Sequence, residues 1–433
     1  MPATDVPRVR VVVVNHKGGE ATLRCLRALV QTDWPPEHLD VVVVDNASND
    51  GSVDRIHEER LGIDVVVSER NLGFAGGNNL ALRDRTGVDY VALVNPDTQV
   101  TKGWLAPLVD TLGQDPELGA VCPKILLSGR YGRLAITSPT HIQRGLGHSR
   151  PVGVRIRGVR VGGIDVMPRT RWVSGTWGPE RSGRWTDGSA LIYLPVPDSC
   201  ASPDASIQLD APVSRMVTLE NGDQRHEYTV GPKSRWCTLP PAGPGAVLVN
   251  SVGTNLTGDG YGADRGWLEP DRGQYDDPAD VFAWSGAAVL IRGEYLDEVG
   301  LFDERLFLYY EDFELSWRGH ARGWRYRTVP SSVIYHDHAV STVEGSSVSD
   351  FFNERNRLLV LTRHGSPSVA WRAWARYVLA TASYARRDLV SRLHGEPADW
   401  LAFRRRLRSL FAAARLVPPM LAARRGDRRD ASC

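Results

Sequence analysis

The chain has 433 residues, a length that suggests two or three domains or a single large α/β enzyme with an insertion. Its 42% hydrophobic and 24% charged residues are typical of a globular protein. The net charge of +1 is uneven, because residues 363–433 contain 15 Arg and five acidic residues and carry +10, which leaves −9 for the rest. No window offers about 18 uncharged apolar residues, so no membrane-spanning helix is predicted. Five scattered cysteines exclude a C-x-x-C metal site and indicate reduced thiols in a cytosolic protein. The N-terminus leads directly into a predicted strand, so we expect no secretory signal.

Strands and helices are predicted to alternate over residues 1–129. All-apolar runs predict strands that are buried on both faces, at 9–14, 41–44, 65–67 and 91–94. Apolar residues at helical spacing predict the intervening helices, at 20–31, 52–60 and 75–85. This alternation indicates a parallel sheet with right-handed crossovers, whose ligands bind beyond the carboxyl ends of the strands. Polar residues that follow strands should converge there, namely Asn15, Asp45, Arg70, Asn71, Asn95 and Asp97.

The composition changes over residues 130–245, which are rich in Gly, Pro, Arg and Trp. Asn221-Gly222 lies between two strand-like runs and is a strong hairpin signal. We therefore predict a small antiparallel β domain that is inserted into the α/β body. A long disordered loop is the alternative, which the regular spacing of Val, Ile and Trp disfavours.

The α/β pattern returns over residues 246–365. Strands are predicted at 282–291, 325–329 and 333–335, and helices at 313–322 and 350–363. Residues 366–433 are predicted to form a basic tail, with amphipathic helices at 369–393 and 400–416 and a disordered last dozen residues.

Two acidic motifs follow apolar strands about 215 residues apart, Asn95-Pro96-Asp97 and Glu311-Asp312. A carboxylate at the end of a strand can bind a divalent cation through oxygen. A second carboxylate in the same crevice can act as a general base. Together they indicate an enzyme that handles a diphosphate leaving group. Acidic residues are also favoured at a helix N-terminus, which is compatible with Asp312 as the base and leaves Glu311 as the weaker candidate.

Seven short motifs follow one another along the chain: Val13–Asn15, Asp45–Ser52, Asn71–Asn79, Asn95–Asp97, Trp284–Ala287, Tyr310–Asp312 and His336–His338. In this order they resemble inverting family 2 glycosyltransferases, and most closely a rhamnosyltransferase-like branch. The resemblance covers residues 8–127 and 247–362. It does not cover the predicted β insertion or the basic tail.

The resemblance implies a GT-A fold, which is an α/β mixed sheet flanked by helices, a donor such as dTDP-rhamnose or a UDP-hexose, and Mg²⁺ or Mn²⁺. It implies that Asp97 and His336 bind the metal, with His338 as a close competitor, and that Asp312 is the general base. The donor would be bound by residues near the strand ends: Asn15, Asp45, Arg70, Asn71, Asn78, Asn95 and Asp97. Residues of the motifs Trp284–Ala287 and Tyr310–Asp312 would contact the acceptor, namely Trp284, Tyr310 and Glu311.

One residue departs from the family pattern, because Asn95 stands where the metal motif usually has an aspartate. A neutral amide offers one oxygen and no charge, so the metal should be bound weakly until the phosphates of the donor arrive. The Asn-Pro-Asp form resembles a variant of this branch, and we therefore expect an active enzyme.

We interpret the chain as an inverting, metal-dependent glycosyltransferase that acts on a glycan or lipid-linked acceptor in cell-envelope polysaccharide synthesis. Residues 1–129 would bind the nucleotide sugar, and residues 246–365 would bind the acceptor. The alternative is a non-catalytic carbohydrate-binding or scaffold protein that uses the β insertion, against which the intact Asp97 and Asp312 argue. A nucleotidyltransferase is disfavoured because its Gly-rich, basic N-terminal loop is missing.

The basic tail could serve in three ways. Arg interleaved with Trp and Phe on amphipathic helices can bind an anionic membrane surface, can bind nucleic acid, or can form a solvated face against the body. A lipid-linked acceptor favours the membrane, so we expect a cytoplasmic protein that is peripheral on the inner face of the cell membrane, with no nucleic-acid partner. Removal of residues 366–433 is expected to reduce liposome binding while activity on a soluble acceptor survives.

Overall fold

The computed structural model describes residues 6–143, 150–178, 180, 183–196, 204–239, 245–338, 347–395 and 400–430. These residues form a mixed α/β body, a second and mainly antiparallel sheet, and a C-terminal group of helices. The predicted class, an α/β fold with an antiparallel β insertion and a helical tail, is confirmed.

The first part of the body consists of β1 (Val9–Asn15), α1 (Gly19–Leu29), β2 (Leu39–Asn46), α2 (Ser52–Glu58), β3 (Asp64–Ser68), α3 (Gly73–Leu82), β4 (Tyr90–Val94), β5 (Thr98–Val100), α4 (Leu105–Gln114) and β6 (Leu118–Leu127). The next strands are β7 (Arg130–Thr137), β8 (His141–Gln143), β9 (Arg150–Val152), β10 (Arg155–Val161), β11 (Ile164–Asp165), β12 (Arg171–Thr176), β13 (Arg184–Val196), β14 (Ala205–Asp210), β15 (Arg215–Asn221), β16 (Gln224–Val230) and β17 (Arg235–Thr238). The chain then continues with β18 (Val249–Ser251), β19 (Thr254–Leu256), β20 (Gly262–Asp264), β21 (Asp280–Val281), β22 (Ala288–Arg292), α5 (Gly293–Val299), α6 (Glu311–His320), β23 (Arg325–His336), α7 (Ser347–His364), α8 (Pro367–Leu393) and α9 (Leu401–Asp430).

The sheet of the body has the strand order β21-β23-β6-β22-β4-β1-β2-β3, with β18 paired to β6 and β5 to β23. Strands β4, β1, β2 and β3 are parallel, whereas β22 runs antiparallel to both β4 and β6. Val11 and Val13 of β1 pack into the core on one face, and Val12 packs into the core on the other. Burial on both faces explains the unbroken run of valines, and it brings the carboxyl ends of β1, β2 and β4 to one edge.

The second sheet has the order β16-β15-β7-β13-β10-β14-β17, with β11 paired to β10 and β12 paired to β13. The hairpin that Asn221-Gly222 predicts is present, because Asn221 of β15 pairs with Gln224 of β16 and Gly222 turns the chain at a φ of +57°. Alternate residues such as Val217 and Leu219 face a separate buried core. The insertion therefore buries its own apolar face.

The strand predicted over residues 282–291 is wrong in its first half, since regular pairing begins only at Ala288. The preceding residues instead form a turn in which the N–H of Gly286 donates to Asp312 at 2.8 Å. The two strands predicted over residues 325–335 are one strand, β23, with a register shift between Val329 and Val333.

The disorder predicted for the last dozen residues is wrong for residues 422–430, because α9 continues through Pro418 and Pro419 to Asp430. Tertiary contacts outweigh the two prolines: Met420 is buried, and Arg363 of α7 donates to Asp427 at 2.8 Å. Residues 431–433 lie outside the described residues. Across the helices that the structure describes, none has the length and apolarity that a bilayer crossing requires.

Candidate active site

An open cavity of about 640 Å³ lies at the carboxyl ends of β1, β2 and β4. Residues from both halves of the body line it, from His16 after β1 to Asn353 of α7. Four of the predicted site residues are among them: Asn71, Asn95, Asp97 and His336. The cavity is therefore where two distant parts of the sequence meet, as the strand-end pattern predicts.

Asn15 and Asp45 lie beneath the cavity and are almost fully buried. The Asn15 side-chain amide donates to Asp45 Oδ1 at 2.8 Å and to the hydroxyl of Ser48 at 3.0 Å. Asp45 Oδ2 accepts from the N–H of Ser48 at 3.2 Å. The three residues tie the turns after β1 and β2 together, and direct contact of Asn15 or Asp45 with the donor stays a prediction.

The turn after β3 is held by Asn46, the last residue of β2, which the sequence reasoning did not single out as a site residue. Its amide donates to Asn71 Oδ1 at 3.1 Å, and its Oδ1 accepts from the N–H of Leu72 at 2.7 Å. Asn78 is placed elsewhere, because it is buried in α3 and donates to the Phe74 carbonyl at 2.9 Å. Arg70 is exposed and does not line the cavity.

Asp97 and His336 form a buried pair in the cavity wall, with His336 Nε2 and Asp97 Oδ1 at 3.0 Å. The opposite ring nitrogen, Nδ1, lies 2.6 Å from the side-chain oxygen of Asn250 and therefore carries a proton. Nε2 then faces a carboxylate oxygen, and this contact is favourable only with a cation or a proton between the two atoms. One carboxylate and one imidazole, oriented by a second partner, fit a divalent cation whose other ligands are water and phosphate. Within the described residues no third His, Cys, Asp or Glu completes a cluster.

His338 lies beside this pair, with its ring centroid 5.4 Å from that of His336. Burial, together with the charges of His336 and Arg171, lowers the pKa of His338 to about 3. Its ring packs against the indole of Trp267 at 4.9 Å. His336 is thus the residue that contacts Asp97, whereas His338 packs against an aromatic ring.

Asp312 lies at the start of α6, just behind the cavity wall. Its Oδ2 accepts from the N–H of Gly286 at 2.8 Å, and its Oδ1 accepts from the N–H of Phe313 at 2.7 Å. Gly286 also touches the wall, since a Cβ there would lie 3.2 Å from both Asp312 Oδ2 and the ring of the cavity-lining Phe74. Burial raises the pKa of Asp312 to about 6, although the two N–H groups favour the carboxylate. A carboxyl group with this pKa can accept a proton near neutral pH.

The three residues predicted to contact the acceptor do not line the cavity. Trp284 is 0% exposed and packs at 6.0 Å against Phe302 in the core, so its predicted role is not supported by its position. Tyr310 packs against Phe313. Burial and the charge of Asp312 raise the pKa of Glu311 well above its ordinary value.

The segment before α6 is held in an unfavourable conformation. Phe307, Tyr309 and Tyr310 have φ angles of +66°, +67° and +71°, a region that bulky residues rarely adopt. Asn356 of α7 donates to the carbonyls of residues 306, 308 and 309, at 2.7 to 2.9 Å. These bonds hold the segment that leads into Asp312. Residues 307–309 also line the cavity.

Asp264 of β20 lines the cavity and was missed by the sequence reasoning, whereas Trp267, which lies shortly after it and also lines the cavity, was considered as a sugar-stacking residue but ranked below Trp284 and Tyr310. Asp264 Oδ1 accepts from the hydroxyls of Ser251 at 2.9 Å and Thr254 at 3.1 Å. Solvent reaches Asp264 from the cavity. Many protein atoms nevertheless surround its carboxyl group, and the resulting desolvation raises the pKa of Asp264. Strands of three residues carry no clear periodicity, so only the acidic residue itself could have signalled the site.

The mixed sheet, with its cavity at the ends of parallel strands, a buried Asp–His pair and a carboxyl group at a helix start, agrees with the GT-A fold that the sequence predicts. The sequence model described as Glycosyl transferase family 2 matches residues 10–150, and the one described as Glycosyl transferase family group 2 matches residues 243–415. The chain belongs to the family 2 glycosyltransferases.

Among curated proteins, the chain is similar to the N-acetylglucosaminyl-diphospho-decaprenol L-rhamnosyltransferase of two Mycobacterium tuberculosis strains. The identity is 34% over 109 residues, which is 25% of this chain and 34% of each relative. The chain thus matches about a third of the length of these curated relatives.

Solved structures that resemble the chain include GalNAc-T7 with UDP, GalNAc and Mn²⁺, at 14% identity and a TM-score of 0.44, over 83% of this chain and 48% of that one. The mannosyltransferase PcManGT from Pyrobaculum calidifontis, in complex with GDP-Man and Mn²⁺, aligns at 16% identity and a TM-score of 0.41, over 96% of this chain and 88% of that one. TarS from S. aureus in complex with UDP-GlcNAc aligns at 13% identity and a TM-score of 0.41, over 98% of this chain and 89% of that one.

Proposed function

We propose that the protein is an inverting, metal-dependent glycosyltransferase that moves a sugar from a nucleotide-diphosphate donor to a glycan or lipid-linked acceptor. The observation that carries the proposal is the placement of the Asp97–His336 pair in the wall of a cavity that has Asp312 directly behind Gly286 and Phe74. Residues 1–129 would bind the nucleotide sugar, and residues 246–365 would bind the acceptor and carry the base.

The chemistry needs one proton acceptor and one stabilised leaving group. Asp97 and His336 would hold Mg²⁺ or Mn²⁺, which neutralises the charge of the departing diphosphate. The Asp312 carboxylate accepts the proton of an acceptor hydroxyl as that oxygen bonds to the anomeric carbon. The bond between this carbon and the diphosphate breaks, and the nucleoside diphosphate leaves with the electron pair. A single in-line displacement inverts the anomeric centre.

The proposed substrates are chosen by likeness to the curated relatives. The curated relatives are rhamnosyltransferases that act on N-acetylglucosaminyl-diphospho-decaprenol. We therefore infer dTDP-rhamnose as the first donor to test, with UDP-hexoses as the second choice. The acceptor would carry N-acetylglucosamine on a lipid diphosphate, which places the reaction in cell-envelope polysaccharide synthesis.

The surface of the C-terminal helices is consistent with an acceptor that is linked to a membrane lipid. An open apolar groove of about 980 Å³ lies between α8 and α9, and its lining includes Trp371, Leu379, Val417 and Leu421. Trp371 is 74% exposed and Leu379 is 69% exposed. Exposed arginines such as Arg372 lie on the same helices. An apolar surface beside cationic side chains suits the interface of an anionic membrane, so we propose peripheral association of the helices with that membrane.

The proposed function is tested first by binding and then by transfer. A ligand that binds only the native state raises the melting temperature by mass action. dTDP-rhamnose and the UDP-hexoses are compared with and without Mn²⁺, and any donor that raises the melting temperature is incubated with octyl N-acetylglucosaminide. The expected result is a metal-dependent shift and a glycosylated product. Absence of both with every donor would contradict the proposal.

A further inference from the structure

The cavity extends across the sheet from the side of β2 and β3 toward a side formed by later residues. Asn46 ends β2 and Asn71 follows β3 at one edge of the sheet, whereas β18, which leads into the hairpin of β19 and β20, pairs with β6 on the far side of β4. Asp97 follows β4, between these two groups. The cavity wall contains Asn46, Asn71, Asp97 and residues of that hairpin.

The far side is built by the hairpin of β19 and β20. The hairpin packs on the helix that carries Asp312, because a Cβ at Gly262 would lie 3.0 Å from the Phe313 ring. Gly262 and Asp264 both line the cavity. The hairpin therefore brings the Asp264 carboxylate into the same cavity that Asp312 borders.

Hydrogen bonds to one carboxylate oxygen orient the Asp264 side chain. Both of its hydrogen bonds, from Ser251 and Thr254, reach Oδ1. Oδ2 has no hydrogen-bond partner among the described residues. A carboxylate oxygen of this kind can accept a hydrogen bond from a sugar hydroxyl.

Trp267 provides an aromatic surface next to this carboxylate. The backbone N–H of Trp267 donates to the backbone carbonyl of Asp264 at 3.4 Å, which closes a turn between the two residues. The indole packs at 4.9 Å on the ring of His338 and against the core that contains Tyr131 and Leu268. These contacts hold the indole in place, and both Trp267 and His338 line the cavity. An indole face of this kind suits the C–H face of a pyranose.

We propose that Asp264 and Trp267 form the subsite for the acceptor sugar, in which the carboxylate accepts hydrogen bonds from pyranose hydroxyls and the indole packs on the sugar ring. This assignment rests on the proposed function. It replaces the acceptor role that the sequence assigned to Trp284, whose ring is buried in the core. The two residues bind the acceptor and leave the proton transfer to Asp312.

The experiment compares kinetics with dTDP-rhamnose and octyl N-acetylglucosaminide for the wild type, Asp264→Asn and Trp267→Leu. Asn retains an oxygen for Ser251 and Thr254, and Leu retains an apolar side chain against the core. Both variants are expected to raise the acceptor KM at least tenfold. The donor KM, and the Kd for dTDP with Mn²⁺, are expected to change less than twofold. The control is Asp259→Asn, in the exposed turn of the same hairpin, which should match the wild type.

The outcomes separate the two proposals. A wild type that transfers sugar and two folded variants with an unchanged acceptor KM would overturn the subsite and leave the proposed function intact. A parallel rise of the donor and acceptor KM would also overturn it, because it would indicate a structural role. No transfer by the wild type with any donor would overturn the proposed function itself. Melting temperatures identify any variant that fails to fold, and the other variant then decides.

Discussion

The carboxylate of Asp312 accepts a hydrogen bond from the backbone N–H of Gly286 at 2.8 Å, which joins the start of α6 to the turn before β22. A second N–H, that of Phe313, bonds the other oxygen. The backbone therefore fixes both oxygens of the proposed base before a substrate arrives.

Asp312→Asn should abolish transfer while leaving the nucleotide bound. The amide cannot accept the hydroxyl proton, so kcat should fall by roughly 10²–10⁴-fold. The matched variant is Glu311→Gln, which makes the same change from carboxyl to amide at a neighbouring residue that does not line the cavity, and it should retain most of the activity. The Kd for dTDP with Mn²⁺ is measured for both variants by calorimetry. Transfer at the normal rate by Asp312→Asn would show that another group is the base.

Gly286→Ala should displace the base without removing it. The added Cβ would lie 3.2 Å from Asp312 Oδ2 and 3.2 Å from the Phe74 ring, which is tighter than ordinary contact. A misplacement approaching 1 Å can lower a rate by about 10²-fold, so we expect kcat to fall by about 10–100-fold with little change in dTDP affinity. Gly103→Ala is the control because its Cβ would meet open space. Equal rates for the two variants would argue against a fixed Asp312.

The rate of transfer should rise with pH up to about 6 and then level off. The base acts as a carboxylate, and burial raises the pKa of Asp312 to about 6, so protonation removes the active form at lower pH. We expect kcat/KM to fall about tenfold for each pH unit below that value. The profile is measured with Mn²⁺ and dTDP-rhamnose. A flat profile down to pH 4.5 would be inconsistent with Asp312 as the base.

Asn250→Ala should weaken metal binding although Asn250 does not line the cavity. Its side-chain oxygen fixes the Nδ1 proton of His336, and loss of such a partner typically lowers metal affinity about 10–100-fold. The affinity is read by titration of Mn²⁺ in the presence of dTDP, so activity is not needed. The exposed Asn255→Ala serves as the control. His336→Ala should lower the affinity further, and chelation of the metal should stop transfer by the wild type.

The sequence predicts the parts of this site that depend on regular structure. Asp97 follows a buried strand and Asp312 begins a helix, and both signals depend on local periodicity. Trp284 was misplaced because sequence order cannot tell a ring that packs in the core from one that faces a cavity. Asp264 was missed because its neighbours in β19 and β20 form short strands whose position is set by packing against α6 and α7. Long-range packing of this kind has no periodic signature.

Surface substitutions on α8 should reduce membrane binding without loss of activity on a soluble acceptor. Removal of residues 366–433 is a poor test, because it would strip α9 from the buried side of α7 and remove the Asp427 partner of Arg363, a residue that also contacts Glu314 of α6 at 2.8 Å. The variant Arg372→Gln with Arg376→Gln changes only exposed side chains. Each Arg near an anionic surface contributes about 1 kcal/mol, so the double variant should bind anionic liposomes about 30-fold more weakly. Sedimentation with anionic and neutral liposomes measures the effect, and equal binding of the wild type and the variant to anionic liposomes would contradict the membrane role.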